Sequence, residues 1–230
     1  EIYEIVFNSG QPWIISANGT IFTYEKKGII PGLLERWYSD RKELQAKARE
    51  ARDEGGDLFA YWDKRQLVKK INLNSLYGAL LNPGSRFFDS RLGQSTTLTG
   101  RSIAKHMAAE INNIIAGEYD HQGKAIVYGD TDSTYFSSYP LLKDQIDKGE
   151  INWDRDNIIA YYDAVCQEVS KTFPGFMSKS FHTPLDLGSI IAADKEMVGS
   201  AGLFITKKRY AMLVFDNEGK REDVDGSAGY

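Results

Sequence analysis

A short turn that carries two aspartates lies between two segments with the composition of β-strands. Ala125-Ile126-Val127 precede the turn and Thr134-Tyr135-Phe136 follow it, and both are rich in residues that favour strands. Asp130 and Asp132 are two residues apart, so on extended backbone their side chains would project to one face. Neighbouring carboxylates repel each other unless a cation such as Mg²⁺ lies between them. The segment therefore predicts either a polar β-turn or a hairpin that holds a divalent metal.

Composition limits the classes of protein to which this chain can belong. Its 230 residues are 42% hydrophobic, which is enough for a folded core, and its formal charge of −4 argues against a strongly basic nucleic-acid-binding domain. The single cysteine, Cys166, excludes an internal disulfide and a cysteine zinc cluster, and the three histidines lack ligand spacing. No stretch has the length of a membrane span, so we expect no membrane partner.

Apolar spacing predicts two long helices in the first third of the chain. The first is expected from about Pro31 to Ala51, and the second from about Leu58 to Leu80. Gly55-Gly56 separate the two patterns, and Asn82-Pro83-Gly84 end the second. The segment is therefore predicted to form an antiparallel helical hairpin.

The remaining segments predict helices and strands in mixed order. Residues 3–24 are typical of irregular strand and loop, with a hairpin around Asn18-Gly19. The other expected elements are a helix over 95–115, a helix over 157–173 capped by Asn157 and stopped by Pro174, strands over 187–193 and 208–215, and a loop or frayed tail over 216–230.

The second predicted helix carries polar residues that could bind phosphate. Lys70, Asn74 and Tyr77 recur at i, i+4 and i+7, so they share one helical face, and Gly78 leaves room for close approach by another body. On the first helix, Arg41 and Lys42 could face a common anion. A basic helical face is more often a solvated surface, and the spacing of the whole segment favours binding instead.

Three segments, in order along the chain, together resemble family B DNA polymerases. Residues 70–78, Lys-Ile-Asn-Leu-Asn-Ser-Leu-Tyr-Gly, resemble motif B of that family, and residues 128–133, Tyr-Gly-Asp-Thr-Asp-Ser, resemble motif C. Residues 207–210, Lys-Lys-Arg-Tyr, resemble its K-K-R-Y segment. The amino-acid sequences of residues 74–80 and 28–31 are most similar to those of the T-even phage replicative branch of the family.

The resemblance implies an α+β fold, with an antiparallel palm sheet and packed helices, plus a fingers domain made of an antiparallel helical hairpin. It predicts residues 1–28 as the N-terminal part of the palm, 29–82 as the fingers, 83–217 as palm with the motif C hairpin, and 218–230 as a loop or frayed tail.

The resemblance also implies roles for individual residues. Asp132 and Asp130 would be catalytic and would bind two Mg²⁺ ions, with Asp186 as a further metal ligand. The residues predicted to bind the nucleotide are Arg41, Lys42, Lys70, Asn74 and Tyr77. The residues predicted to bind DNA are Gly78, Lys207, Lys208, Arg209 and Tyr210.

The implied activity is transfer of dNMP from a dNTP to a primer 3′-hydroxyl on a primer-template DNA. The sequence contains no segment like motif A, D-x-x-S-L-Y-P, whose aspartate is the second essential metal ligand in that family, and we expect it to begin just downstream of that position. We therefore expect partner fragments that carry motif A, the exonuclease and the thumb, in the cytoplasm of a phage-infected bacterial cell. The alternatives are a non-catalytic DNA- or partner-binding remnant and another palm-type nucleotidyltransferase such as a reverse transcriptase, whose hairpin has a different motif.

Overall fold

The structure, a computed structural model, describes residues 1–54, 57–221 and 227–229. The chain divides into two compact units, residues 1–97 (unit 1) and residues 98–230 (unit 2), and each is described by itself. The mixture of helices with small antiparallel sheets confirms the predicted α+β class. The elements in chain order are α1 (Ile2–Asn8), β1 (Trp13–Ile15), β2 (Ile21–Thr23), α2 (Ile29–Glu54), α3 (Leu58–Leu80), α4 (Ser90–Ala116), β3 (Ile126–Asp130), β4 (Ser133–Phe136), α5 (Tyr139–Asp147), α6 (Arg155–Phe181), α7 (Leu185–Gly188), β5 (Met197–Thr206), β6 (Arg209–Asn217), β7 (Lys220–Arg221) and β8 (Ser227–Gly229).

Unit 1 begins with a helix, where the sequence predicts irregular strand and loop. In α1, Val6 is fully buried, and the rings of Tyr3 and Phe7, one turn apart, have centroids separated by 6.2 Å. An apolar contact at i, i+4 stabilises a helical turn, but a helix of seven residues is too short to give a clear period.

The strand hairpin predicted around Asn18-Gly19 is confirmed. β1 pairs with β2 in antiparallel register, with Trp13 opposite Thr23 and Ile15 opposite Ile21. Gly19 takes a φ of 81°, a left-handed conformation that glycine adopts without a steric penalty.

The helical hairpin of α2 and α3 is confirmed, and the bounds of α3 are those that the sequence predicts. Lys69 pairs with Asp40, and Arg41 donates to Gln66, so residue numbers rise along one helix as they fall along the other. Small buried residues of α2, Ala48 among them, allow close helix packing. The glycine pair at residues 55 and 56 lies outside the described residues.

The core of unit 2 positions the hairpin of β3 and β4. Ile111 of α4 packs with Val169 and Phe173 of α6, and Ile126 and Phe136 of the hairpin pack against this cluster. The two helices therefore support the strands that carry the aspartate turn.

Helix α6 is longer than the sequence predicts at both ends. Its N-cap is Asp154, whose side chain accepts a hydrogen bond from the amide of Asn157, so Asn157 itself lies inside the helix. The helix continues through Pro174 to Phe181, because Met177 and Phe181 remain buried on the face that also buries Phe173. Burial of these side chains outweighs the hydrogen bond that a proline removes from a helix.

The strand predicted over 187–193 is wrong, and the strand predicted over 208–215 is confirmed as β6. Residues 185–188 form the short helix α7, and the partner of β6 is β5, which the sequence does not predict. β5 contains three glycines or alanines between its larger residues, and this composition hides the strand pattern. Helix α5 is also not predicted.

The segment predicted as a loop or frayed tail contributes two short strands. β7 and β8 both pair with β6 in antiparallel register. Glu218 and Gly219 form the turn before β7, with φ values of 50° and 80°. Two consecutive positive φ values suit the twist of a tight hairpin, and a Glu-Gly pair is a weak sequence signal for such a turn.

Candidate functional site

The two aspartates of the motif at residues 128–133 occupy different backbone positions. Asp130 is the last residue of β3 and pairs with Ser133, so Thr131 and Asp132 form a two-residue turn. Thr131 takes a φ of 51° there. The expectation that both carboxylates project from extended backbone to one face is therefore wrong, because only Asp130 lies in a strand. The side chain of Asp130 is 20% exposed, and Asp132 is exposed at the turn.

A second turn in unit 2 brings positive charge to Asp130. The pairing of Thr206 with Arg209 leaves Lys207 and Lys208 as the two-residue turn between β5 and β6. The Nζ of Lys208 lies 3.8 Å from the Oδ2 of Asp130, and the two opposite charges attract. Lys207 and Arg209 are exposed beside it. The structure thus brings together two of the predicted site residues, Asp130 and Lys208.

Four aromatic rings join the two hairpins behind these turns. Tyr135 and Tyr210 share a hydrogen bond of 2.6 Å between their hydroxyl groups, and the rings of Tyr128 and Phe204 complete the cluster. The pKa of Tyr135 is raised above its ordinary value, mainly by burial and to a smaller extent by this hydrogen bond. Of the four residues, only Tyr210 is predicted as a site residue. Each of the strands β3 to β6 contributes one of these rings, and an aromatic residue in each strand is the signal that could have identified the other three.

A cleft of about 480 Å³ in unit 2 opens beside the aspartate turn. Its lining includes Asp132, all of β4 and residues 192–202. Lys195 and Glu196 line it, and the sequence interpretation missed both of them. Lys195 forms a buried ion pair with Asp216, and its Nζ also lies 3.8 Å from Asp163. The charged run Asp-Lys-Glu at residues 194–196 was the available signal.

The described residues supply too few ligands for a complete metal site. In residues 1–54, 57–221 and 227–229, no group of three or more His, Cys, Asp or Glu side chains is placed to hold a metal ion. Asp186, predicted as a further metal ligand, is exposed on α7 and does not complete such a group with Asp130 and Asp132. Carboxylate oxygens suit Mg²⁺, so these two aspartates fit its chemistry but not the ligand number of a two-ion site.

The predicted nucleotide-binding residues of α3 share a helical face in unit 1. Lys70 and Asn74 are exposed, and Tyr77 is half-buried. At Gly78 nothing lies within 4 Å of where a Cβ would be, so another molecule has room to approach the backbone there. The adjacent Lys69 pairs instead with Asp40 at 2.6 Å.

The two basic residues predicted on α2 differ in their surroundings. Arg41 is half-buried and donates from Nε to the side-chain oxygen of Gln66 at 3.2 Å. Lys42 is exposed, with its Nζ 5.5 Å from the ring centroid of Tyr38. Helix packing thus fixes Arg41, whereas Lys42 remains on the surface.

Across the part of the chain that the structure describes, no helix is both long enough and apolar enough to span a membrane.

Residues 13–144 of this chain, more than half of its length, match the family model described as DNA polymerase family B. The DNA-directed DNA polymerase of Escherichia phage RB69 is 29% identical over 166 residues, which cover 68% of this chain and 18% of that protein. The DNA polymerase alpha catalytic subunit of Arabidopsis thaliana is 30% identical over 237 residues, which cover 95% of this chain and 13% of that protein.

Among solved structures, the family B DNA polymerase from the hyperthermophilic archaeon Pyrobaculum calidifontis matches 89% of this chain and 21% of that chain, with 20% identity and a TM-score of 0.49. The chain therefore spans less than a quarter of each of these three proteins. The phage and plant relatives are about equally similar to it, so identity alone does not select the phage branch.

Proposed function

This chain belongs to DNA polymerase family B, and we propose that it forms the palm and fingers parts of a template-directed DNA polymerase. The proposed reaction transfers dNMP from a dNTP to a primer 3′-hydroxyl. The observation that carries the proposal is the meeting of two turns in unit 2, one bearing Asp130 and Asp132 and the other bearing Lys207 and Lys208. A carboxylate turn next to a basic turn suits a site that must hold both cations and DNA.

In this proposal Asp130 and Asp132 hold part of a divalent metal site. When bound, Mg²⁺ would lower the charge on the triphosphate and favour attack by the 3′-hydroxyl. Two carboxylates are too few for two ions, so we assign the missing ligand to a motif A aspartate outside these 230 residues. The proposed partners therefore include polypeptide segments that carry motif A, the exonuclease and the thumb.

The basic turn would bind the primer-template duplex. Lys207 and Arg209 are exposed, and Lys208 lies next to Asp130. Ammonium and guanidinium groups bind phosphates of any sequence, which suits an enzyme that must accept every template. Tyr210, linked to Tyr135, would hold the base of the turn.

The helical hairpin would bind the incoming nucleotide. Lys70 is an exposed cation that could contact the triphosphate, and Arg41 could form a bidentate phosphate contact. Lys42 would add charge from the same helix. Asn74 and Tyr77 supply an amide and an aromatic ring on the Lys70 face, and the open space at Gly78 would admit the duplex. The proposed location is the cytoplasm, where DNA and dNTP are both present in an infected bacterial cell.

A primer-extension assay tests the proposal when the chain is mixed with a polypeptide that supplies motif A. We expect extension with the unaltered chain and a loss of about 100-fold or more with Asp132→Asn, because removal of even an indirect metal contact costs about 10- to 100-fold. Asp144→Asn is the matched control, since Asp144 is an exposed aspartate on α5 outside the site.

Two results would contradict the proposal. Extension that does not depend on Asp132 would remove the role of the aspartate turn. Binding of primer-template DNA without any Asp132-dependent extension would instead favour a non-catalytic DNA-binding chain.

A further inference from the structure

Residues of β3 contact both the backbone amide and the side-chain ammonium group of Lys208. The hydroxyl oxygen of Tyr128 accepts a hydrogen bond from the backbone amide of Lys208 at 2.9 Å, and Asp130 lies 3.8 Å from its ammonium group. Tyr128 and Asp130 are two residues apart in a strand, so they lie on the same face. One face of β3 therefore holds the backbone amide of Lys208 by a hydrogen bond and attracts its exposed ammonium group.

The backbone of Lys208 needs such support. Its φ is 61°, in the left-handed region that residues with a Cβ seldom adopt. A hydrogen bond from its amide to the Tyr128 hydroxyl favours this conformation, because in other backbone conformations the amide would not point at that hydroxyl. The conformation of the basic turn thus depends on an acceptor that lies 80 residues away in the sequence.

Packing holds the Tyr128 hydroxyl in place. The ring centroid of Tyr128 lies 5.7 Å from those of both Tyr135 and Phe204. The hydrogen bond between Tyr135 and Tyr210 ties the same rings to β6. Loss of the Tyr128 hydroxyl alone would leave this ring packing intact.

We propose that Tyr128 is a positioning residue that acts through Lys208. Its hydroxyl fixes the basic turn so that the Lys208 ammonium stays beside Asp130, and DNA held by Lys208 is then aligned with the aspartate turn. The alignment rests on the proposed function, whereas the placement of Lys208 does not.

Amide hydrogen exchange, measured by NMR on the whole chain without DNA, tests the placement. A hydrogen bond of ordinary net strength corresponds to about fivefold slower exchange, so we expect Tyr128→Phe to speed exchange at the Lys208 amide by about that factor. Tyr162→Phe is the matched control, because the Tyr162 hydroxyl accepts from the amide of Ser138 at 3.3 Å. Each substitution should affect its own amide and leave the other unchanged, and unchanged exchange at Lys208 in Tyr128→Phe would overturn the proposal.

DNA binding, measured by fluorescence anisotropy at several salt concentrations, tests the alignment. One phosphate contact contributes about 0.9 to the slope of log K against log salt. We expect Lys208→Ala to lower the slope by about this amount, Tyr128→Phe to lower it in the same direction, and the double variant to bind no more weakly than Lys208→Ala alone. Tyr162→Phe should leave the slope unchanged, and the thermal midpoints of both phenylalanine variants show whether stability alone accounts for any difference.

The two measurements separate the possible failures. If the effects of Tyr128→Phe and Lys208→Ala on affinity add, Tyr128 does not act through Lys208 and the proposal is overturned. If the unaltered chain does not bind the duplex, the proposed function fails, and the exchange at the Lys208 amide still decides whether Tyr128 positions this residue.

Discussion

The helical hairpin of unit 1 and the paired strand hairpins of unit 2 present their charges in different ways. On α3, all of whose residues are described, no residue is fully buried, and Lys70 and Asn74 are exposed on a face set by helical spacing alone. In unit 2, Asp130 meets Lys208 through strands that are distant in the sequence. The first surface depends on local geometry, whereas the second depends on tertiary packing.

The same contrast holds for the ion pairs of the two regions. Lys69 and Asp40 cross the helical hairpin with side chains that are 28% and 36% exposed. Lys195 and Asp216 pair in unit 2 with side chains that are 9% and 1% exposed. Water screens the first pair and scarcely reaches the second, so we expect loss of one partner to have very different costs.

The largest expected effect is that of Lys195→Met, which would leave Asp216 buried without its cation. Breaking a buried pair in this way typically lowers the free energy of unfolding by about 3–5 kcal/mol. Urea denaturation measures the loss, and Lys171→Met is the matched control, because Lys171 pairs with Glu168 on the surface. Equal stabilities of the two variants would remove the contrast between buried and exposed pairs.

An intermediate effect is expected from pH, and it should arise in unit 2, which contains all three histidines of the sequence. His106 is buried and stacks on Phe176 with ring centroids 4.0 Å apart. The Thr172 hydroxyl donates to the Val169 carbonyl and so accepts from Nε2 of His106. Nδ1 lies 2.8 Å from the Tyr119 hydroxyl and accepts from it in the neutral imidazole, the form that burial favours.

Burial lowers the pKa of His106 below its ordinary value of 6.5, an effect larger than the opposing attraction of Glu110. Below that pH the unfolded chain binds the proton more readily, so the free energy of unfolding falls as the pH is lowered through 6.5 and is unaffected by His106 above it. Thermal midpoints between pH 7.5 and 5 check this. His106→Gln should flatten the profile, and His121→Gln, at a histidine whose side chain is 40% exposed, should not. Equal slopes in both variants would contradict the assignment.

The smallest effect is expected from Lys69→Met in the helical hairpin. The hydrogen bond from Lys69 holds the pKa of Asp40 below its usual value, so the pair stabilises the fold above pH 3.8 and loses this contribution as the pH falls below it. The pair is exposed to water, and we expect a small decrease in thermal midpoint at low salt that disappears at high salt. If Lys69→Met lowered the thermal midpoint as much as Lys195→Met does, the exposed pair of the helical hairpin would contribute as much to stability as the buried pair of unit 2, which would contradict the comparison.

Local patterns predict the helical hairpin well, because apolar helical spacing and the residues that end a helix are both visible over short stretches of sequence. The bounds of α3 follow from the leucine spacing and from the Asn-Pro-Gly that ends it. Pro174 illustrates the limit of such patterns. A proline usually ends a helix, but here the burial of Met177 and Phe181 continues it, and burial is not visible in a local pattern.

The candidate site is only partly visible in the sequence. The motifs identify Asp130, Asp132 and the basic turn, but nothing in their spacing indicates that Lys208 approaches Asp130 or that Tyr128 contacts its amide. The sequence predicts both aspartates in the turn, but Asp130 lies in β3 and only Asp132 lies in the two-residue turn. Strand register and turn length depend on pairing between distant segments, which a local pattern does not contain.

The basic turn has a consequence for protease sensitivity. Three consecutive residues, 207–209, are cleavage sites for trypsin, yet only two of them lie outside the paired strands. A protease needs an extended segment longer than a tight turn, so the ladder between β5 and β6 should protect these bonds. Cleavage there would therefore report the opening of the β5–β6 hairpin, and its rate gives a simple measure of local unfolding in unit 2.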